Sequence, residues 1–169
     1  MFKLRFRRNR IKYWASRYSY SQGYAEAVAV GRTARKRGYL TKNELIQFFD
    51  WKTGGRGRSR CLKNTGAYVK EVTRTSFSTS NARLQIEVLA LLDGVDLRVA
   101  SAILHLVFPR KYPIMDHRTL WSLRVENPKY NFELWDSYCN YCKKTAQENH
   151  VGLRTLDRAL WQFSKEREE

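Results

Sequence analysis

With 169 residues, 43% of them hydrophobic, the chain can bury a core without a disulfide or metal to staple it. Its 32 Lys+Arg against 16 Asp+Glu leave a net charge of +16, which points to a polyanionic partner. Nucleic acid comes first, with an anionic membrane surface, an acidic protein or simple solubility as rivals. The 3 cysteines lack framework spacing, and no stretch has signal-peptide or membrane-spanning length; a secreted disulfide scaffold and a membrane protein are excluded, and an intracellular setting is expected.

Only 3 prolines and 9 glycines interrupt the chain, and apolar residues recur at helical spacing. The pattern predicts an all-α fold of seven or eight packed helices in one domain over residues 1–169, opened by a basic segment over 1–20. That segment, with Lys3 to Arg10 at its centre, reads either as an ordered helix or as a loose arm. A first long helix is expected from Gln22 to Arg37, closed by Gly38. Thr41 and Glu44 have capping-box spacing, so a second starts there and runs through Leu45, Phe48 and Phe49 towards Trp51.

Thr53 to Arg60 reads TGGRGRSR. Its glycines and Arg56, Arg58 and Arg60 suit a loop that contacts phosphates, and equally suit a solvated linker. Helices then follow over Thr65 to Phe77 and Asn81 to Leu92, the second with Leu84, Val88, Leu91 and Leu92 expected on one buried face. The next carries Ala100, Ile103, Leu104 and Val107 on one face and stops at Pro109. Another opens at Asp116 and runs to Arg124. Two more, Asn131 to Asn149 and Leu153 to Lys165, finish the chain.

The most informative stretch is Leu91 to Leu104, where two amphipathic helices meet at a turn of Gly94, Val95 and Asp96. A turn this short calls for positive φ, which Gly94 supplies readily and Asp96 tolerates. The free N–H groups opening the second helix, with its dipole, would form an anion site, and Arg98 stands ready to add charge.

Leu92, Gly94, Val95, Ala100, Ile103, Leu104, Pro113 and Asp116 reproduce a pattern of Leu-x-Gly-Val, a helix with Ala and aliphatic residues, a Pro and an Asp opening the next helix. In these residues the chain resembles the helix-hairpin-helix DNA glycosylase superfamily, that of endonuclease III and the adenine-specific mismatch glycosylases. The run from Ser101 to His117 is particularly similar to the latter and needs no gap. The resemblance implies a hairpin motif over residues 84–108, double-stranded DNA as partner, and Asp116 as the catalytic carboxylate of N-glycosidic hydrolysis. It implies backbone contacts from Gly94, Val95, Asp96 and Arg98, which Arg56, Arg58, Arg60 and His117 would extend.

Two departures shape the expected activity. Asp96 replaces the second glycine of the turn and brings a carboxylate to the phosphate site, unless a local cap on the following helix turns its side chain away. Arg98 stands where bifunctional members carry their Schiff-base lysine, and a guanidinium remains protonated and cannot attack as an amine. A monofunctional enzyme is therefore expected, without efficient lyase activity. Cys139 and Cys142 form a C-x-x-C, but Cys61 is the only other cysteine, so no iron–sulfur cluster, metal or other cofactor is expected. Phe132, Trp135, Cys139 and Cys142 share a helical face and read as core. His105 reads as a core histidine. Trp14, Trp51, Tyr112 and Trp121 each read as core or as lining for a flipped base. No membrane and no obligate protein partner are inferred. Two other readings stay open: a non-catalytic DNA-binding module in which Asp116 is only a helix cap, and an RNA-binding basic protein.

Overall fold

The computed structural model describes residues 2–20 and 22–168, and every regular element among them is helical. In chain order they are α1 (Ile11–Ser16), α2 (Tyr24–Arg37), α3 (Lys42–Thr53), α4 (Arg58–Cys61) and α5 (Gly66–Ser78). These are followed by α6 (Ala82–Glu87), α7 (Leu97–Val107), α8 (His117–Trp121), α9 (Phe132–Glu148) and α10 (Leu153–Arg167). Short 3-10 turns occupy Arg8–Arg10 and Val88–Leu91. No helix among the described residues is long and apolar enough to cross a membrane.

The chain divides into two compact units, one formed by residues 1–21 and 110–169 and the other by residues 22–109. In the first, α1 lies against α10, burying Ile11, Trp14 and Ala15 on one side and Leu156, Ala159 and Leu160 on the other. Phe163 meets Trp14 edge-on at 5.1 Å. The basic segment is neither a continuous helix nor a loose arm. Lys3 N donates to Leu123 O (3.2 Å) and Arg5 N to Ser122 O (2.9 Å), so its start is an extended tether at the end of α8. Arg5 adds Nε to Trp121 O at 2.6 Å, with its guanidinium 4.3 Å from the Trp121 ring centroid. On α9, Trp135, Tyr138, Cys139 and Cys142 are buried, and the Tyr138 hydroxyl donates to Ile114 O at 2.7 Å.

In the second unit α7 is the central element. Every residue from Val99 to Val107 is buried, rather than the single face its periodicity suggests. It packs on α2, α3 and α6. The closest approach is at Gly31 of α2, where a Cβ would lie 2.1 Å from the Leu106 carbonyl oxygen. His105 is fully buried and shares a 2.8 Å hydrogen bond with the Tyr24 hydroxyl, so it is a satisfied core histidine. The Thr41 capping box forms, Glu44 N donating to Thr41 Oγ1 at 3.3 Å and Thr41 N to Glu44 Oε2 at 2.8 Å. The helix it opens continues past Trp51 to Thr53 and stops where Gly54 turns left-handed at φ +62°.

The helix expected over Asn81 to Leu92 differs in a way that moves its buried face. After Glu87 it tightens into the 3-10 turn, whose period is three residues. Leu89 therefore points inward and Leu91 is left 62% exposed; Leu92 is buried as expected, while in the α-helical part Ile86 is buried and Leu84 is 45% exposed. The helix from Asp116 is likewise shorter than expected, a single stretch from His117 to Trp121.

A candidate phosphate-binding turn and the Asp116 helix cap

The turn between α6 and α7 rests on one glycine and one asparagine. Gly94 has φ +81°, and a Cβ there would lie 3.1 Å from the Cys61 amide nitrogen and 3.3 Å from Arg60 Cβ. Conformation and crowding both demand glycine. Val95 is buried, with its N–H donating to Leu92 O at 3.0 Å. Asn64, 2% exposed, holds the preceding residue from both sides. Its Nδ2 donates to Asp93 O (3.0 Å) and Cys61 O (2.9 Å), and its Oδ1 accepts from Asp93 N (2.9 Å). Truncating Asn64→Ala strands both Asp93 backbone groups, while Cys61 O keeps the Asn64 N–H, and is expected to cost about 2–4 kcal/mol. Amide exchange at Asp93 reports it: faster exchange follows if Asn64 holds the turn, and unchanged exchange means that it does not.

The Gly/Arg-rich segment is no linker. Gly54, Gly55 and Gly57 all have positive φ, and the chain folds through them into α4, whose Arg60 and Cys61 pack on Gly94. Two elements expected to contact phosphates thus lie side by side within one unit. Arg56 and Arg60 are exposed, and Arg58 Nε lies 3.3 Å from Asp50 Oδ2.

Asp96 does not adopt positive φ. It is extended, at φ −92° and ψ 176°, and caps α7. Oδ1 accepts from Arg98 N and Val99 N at 3.0 Å each, while Oδ2 accepts from Arg98 Nε at 2.8 Å and Arg98 Nη2 at 2.5 Å. The expectation that these N–H groups point free into solvent is corrected: the carboxylate already occupies their anion site. Burial pushes its pKa up, but the Arg98 guanidinium and the Val99 and Arg98 amides outweigh this and hold it below the ordinary value. Its stabilising contribution is fully present above an unfolded-state pKa of about 3.9 and disappears as pH falls through the depressed native value.

Asp116 and His117 belong to the other unit. Asp116 is half-buried, and its Oδ1 accepts from Thr119 N at 3.0 Å while Asp116 N donates to Thr119 Oγ1 at 3.0 Å. The cap role is therefore real. Leu120 is buried in the helix that Asp116 opens, and Leu123 is buried just past its end. The exposed His117 ring lies 3.3 Å from Glu168 Oε1. Behind this turn, Tyr18 is held by burial, which raises its pKa; Arg154 opposes the rise, and Asp157 and Asp116 both add to it. Arg154 Nη2 donates to the Tyr18 hydroxyl at 3.4 Å, and Arg154 Nη1 pairs with the buried Asp157.

Asn64, Tyr18, Arg154 and Asp157 were not singled out from the sequence. Asn64 meets a residue 29 positions away and Arg154 meets one 136 away, and no local pattern marks such partners. Of the aromatics, Trp14 and Tyr112 are buried, whereas Trp51 and Trp121 are partly exposed.

The cysteines do not assemble into a site. Burial pushes the Cys61 thiol up to about 11 and Cys139 up to about 12, and raises Cys142 well above its usual value, away from the thiolate that metals bind. Among the described residues no group of three or more His, Cys, Asp or Glu side chains could hold a metal ion. Compared with known proteins, the chain matches no protein-family model, no curated protein and no solved structure.

Proposed function

We propose that this protein is a monofunctional DNA N-glycosylase that grips duplex backbone through the Gly94 turn and releases a damaged or modified base with Asp116. The observation that carries the reading is the ordered set Gly94, Val95, Ala100, Pro113 and Asp116, with the glycine in a left-handed turn and the aspartate half-buried at a helix start. The adjacency of the Arg58–Cys61 helix to that turn supports it, as does the basic excess of the whole chain.

The chemistry assigned to Asp116 follows from charge. Breaking an N-glycosidic bond leaves positive charge on the deoxyribose, which a carboxylate stabilises while it orients or deprotonates the attacking water. The target base must first leave the stack. One carboxylate can both cap a helix and act on a substrate; the cap bond here is Thr119 N to Asp116 Oδ1. Incubation with duplexes carrying alkylated, oxidised, deaminated or mismatched bases, followed by detection of abasic sites, tests the proposal. Abasic sites on one class would name the substrate; strand cleavage accompanying them would refute the monofunctional mechanism.

A non-catalytic DNA-binding module is the second reading, favoured by Asp96 filling the anion site at α7. Both readings share a prediction. Asp96→Asn keeps the cap and removes the charge, so duplex affinity is expected to rise about fivefold, from roughly 1 kcal/mol of relieved repulsion. Gel shifts across a salt series measure it; equal affinities would mean that no phosphate approaches this turn.

A further inference from the structure

The unit that carries Asp116 also carries an aromatic cluster which neither the core nor the proposed reaction accounts for. Tyr18, Tyr20 and Trp161 meet pairwise: Tyr18–Trp161 at 5.3 Å and 81°, Tyr20–Trp161 at 4.9 Å and 54°, Tyr18–Tyr20 at 6.1 Å and 62°. Tyr20 is 51% exposed, and Tyr18 and Trp161 are half-buried behind it. Cations surround the rings. Lys165 Nζ lies 3.8 Å from the Tyr20 centroid and 5.5 Å from Trp161, Arg118 lies 5.3 Å from Trp161, and Arg154 and Arg158 lie 5.1 and 5.4 Å from Tyr18.

The nearby carboxylates divide these cations into two groups. Asp157 is paired with Arg154, and Glu168 with Arg118 (3.6 Å) and His117 (3.3 Å). Arg158 and Lys165 have no carboxylate partner among the described residues; Arg158 Nε is buried without a hydrogen-bond partner, and Lys165 Nζ donates to the Tyr20 hydroxyl. Two cations that no described carboxylate neutralises, beside tilted rings, complement a ligand that has both a π face and a negative charge. A nucleotide is such a ligand. A bilayer suits the cluster poorly, because only one ring, Tyr20, projects from the surface.

We propose that Tyr18, Tyr20 and Trp161, with Arg158 and Lys165, form a platform for an unpaired nucleotide, the base stacking on the rings and its phosphate meeting the two cations. This rests on nucleic acid being the partner, but not on base release. Base–aromatic stacking tolerates any sequence, since every base has a π face. The platform therefore predicts single-strand binding without strong base preference.

The test uses the full chain, a fluorescein-labelled oligothymidine, a duplex of equal length and phosphatidylserine vesicles. Tyr20→Ala is expected to weaken single-strand binding roughly tenfold, and Lys165→Ala to lower the slope of log affinity against log salt by about 0.7. Duplex affinity should remain within twofold for both variants. Trp161→Phe retains an aromatic ring and should remove most of the tryptophan quenching caused by the oligonucleotide while affinity falls little. If Tyr20→Ala leaves single-strand affinity unchanged while duplex binding persists, the platform is refuted and the glycosylase reading stands. Binding to vesicles but to neither nucleic acid would overturn both.

Discussion

Replacing Gly31 by alanine is expected to destabilise the residue 22–109 unit by about 3 kcal/mol, the upper end of the usual cost of overpacking. The new Cβ would sit 2.1 Å from the Leu106 carbonyl oxygen and 2.7 Å from its carbon. Both obstacles are main chain, so no rotamer change can relieve the clash and α2 must move away from α7. Better helix propensity returns only about 1 kcal/mol. Ala27 and Ala34, buried one turn to either side on the same helix, would lose contact as the helices part. Gly66→Ala is the control, because nothing lies within 4 Å of its Cβ position and its φ is not positive. That variant should be neutral or slightly stabilising. Thermal denaturation of the two variants separates the effects; equal midpoints would show that α2 and α7 are not held as close as described.

Asp116→Asn is expected to reduce base release about a thousandfold while leaving the fold intact, in line with the contribution of a positioned acid–base group. Asparagine caps helices about as well as aspartate, so the bond from Thr119 N survives and stability should change by less than about 0.5 kcal/mol. Asp116→Ala removes cap and carboxylate together and should cost about 1 kcal/mol as well as activity. The amide variant therefore separates chemistry from structure. A purely capping Asp116 predicts that Asn behaves as wild type and only Ala differs.

Features encoded by neighbouring residues were legible. The Thr41–Glu44 capping box, the Gly38 stop and the Asp116 helix start all depend on groups a few residues apart, and all three form. In the segment before Gly94 the buried Leu92 was legible, but Leu91 was misread because the period changes from α to 3-10 after Glu87, which side-chain spacing alone does not reveal. The role of Asp96 was half legible. A carboxylate before a helix is a familiar cap, but its full capture by Arg98 depends on a side chain curling back over the turn. Gly31 looks like any helical glycine until α7 is seen against it. The Tyr18–Arg154 contact was hidden for the same reason, since its partners come from opposite ends of the chain.

The most direct test of the account is single-turnover base release, with protein in excess over a panel of modified and mismatched duplexes and wild type run beside Asp116→Asn. The account predicts abasic sites from at least one duplex with wild type, about a thousandfold slower release with the variant, and equal binding by both. Equal rates from the two proteins, or tight binding by both with no abasic site on any duplex, would contradict it and leave a DNA-binding module whose Asp116 serves its helix alone.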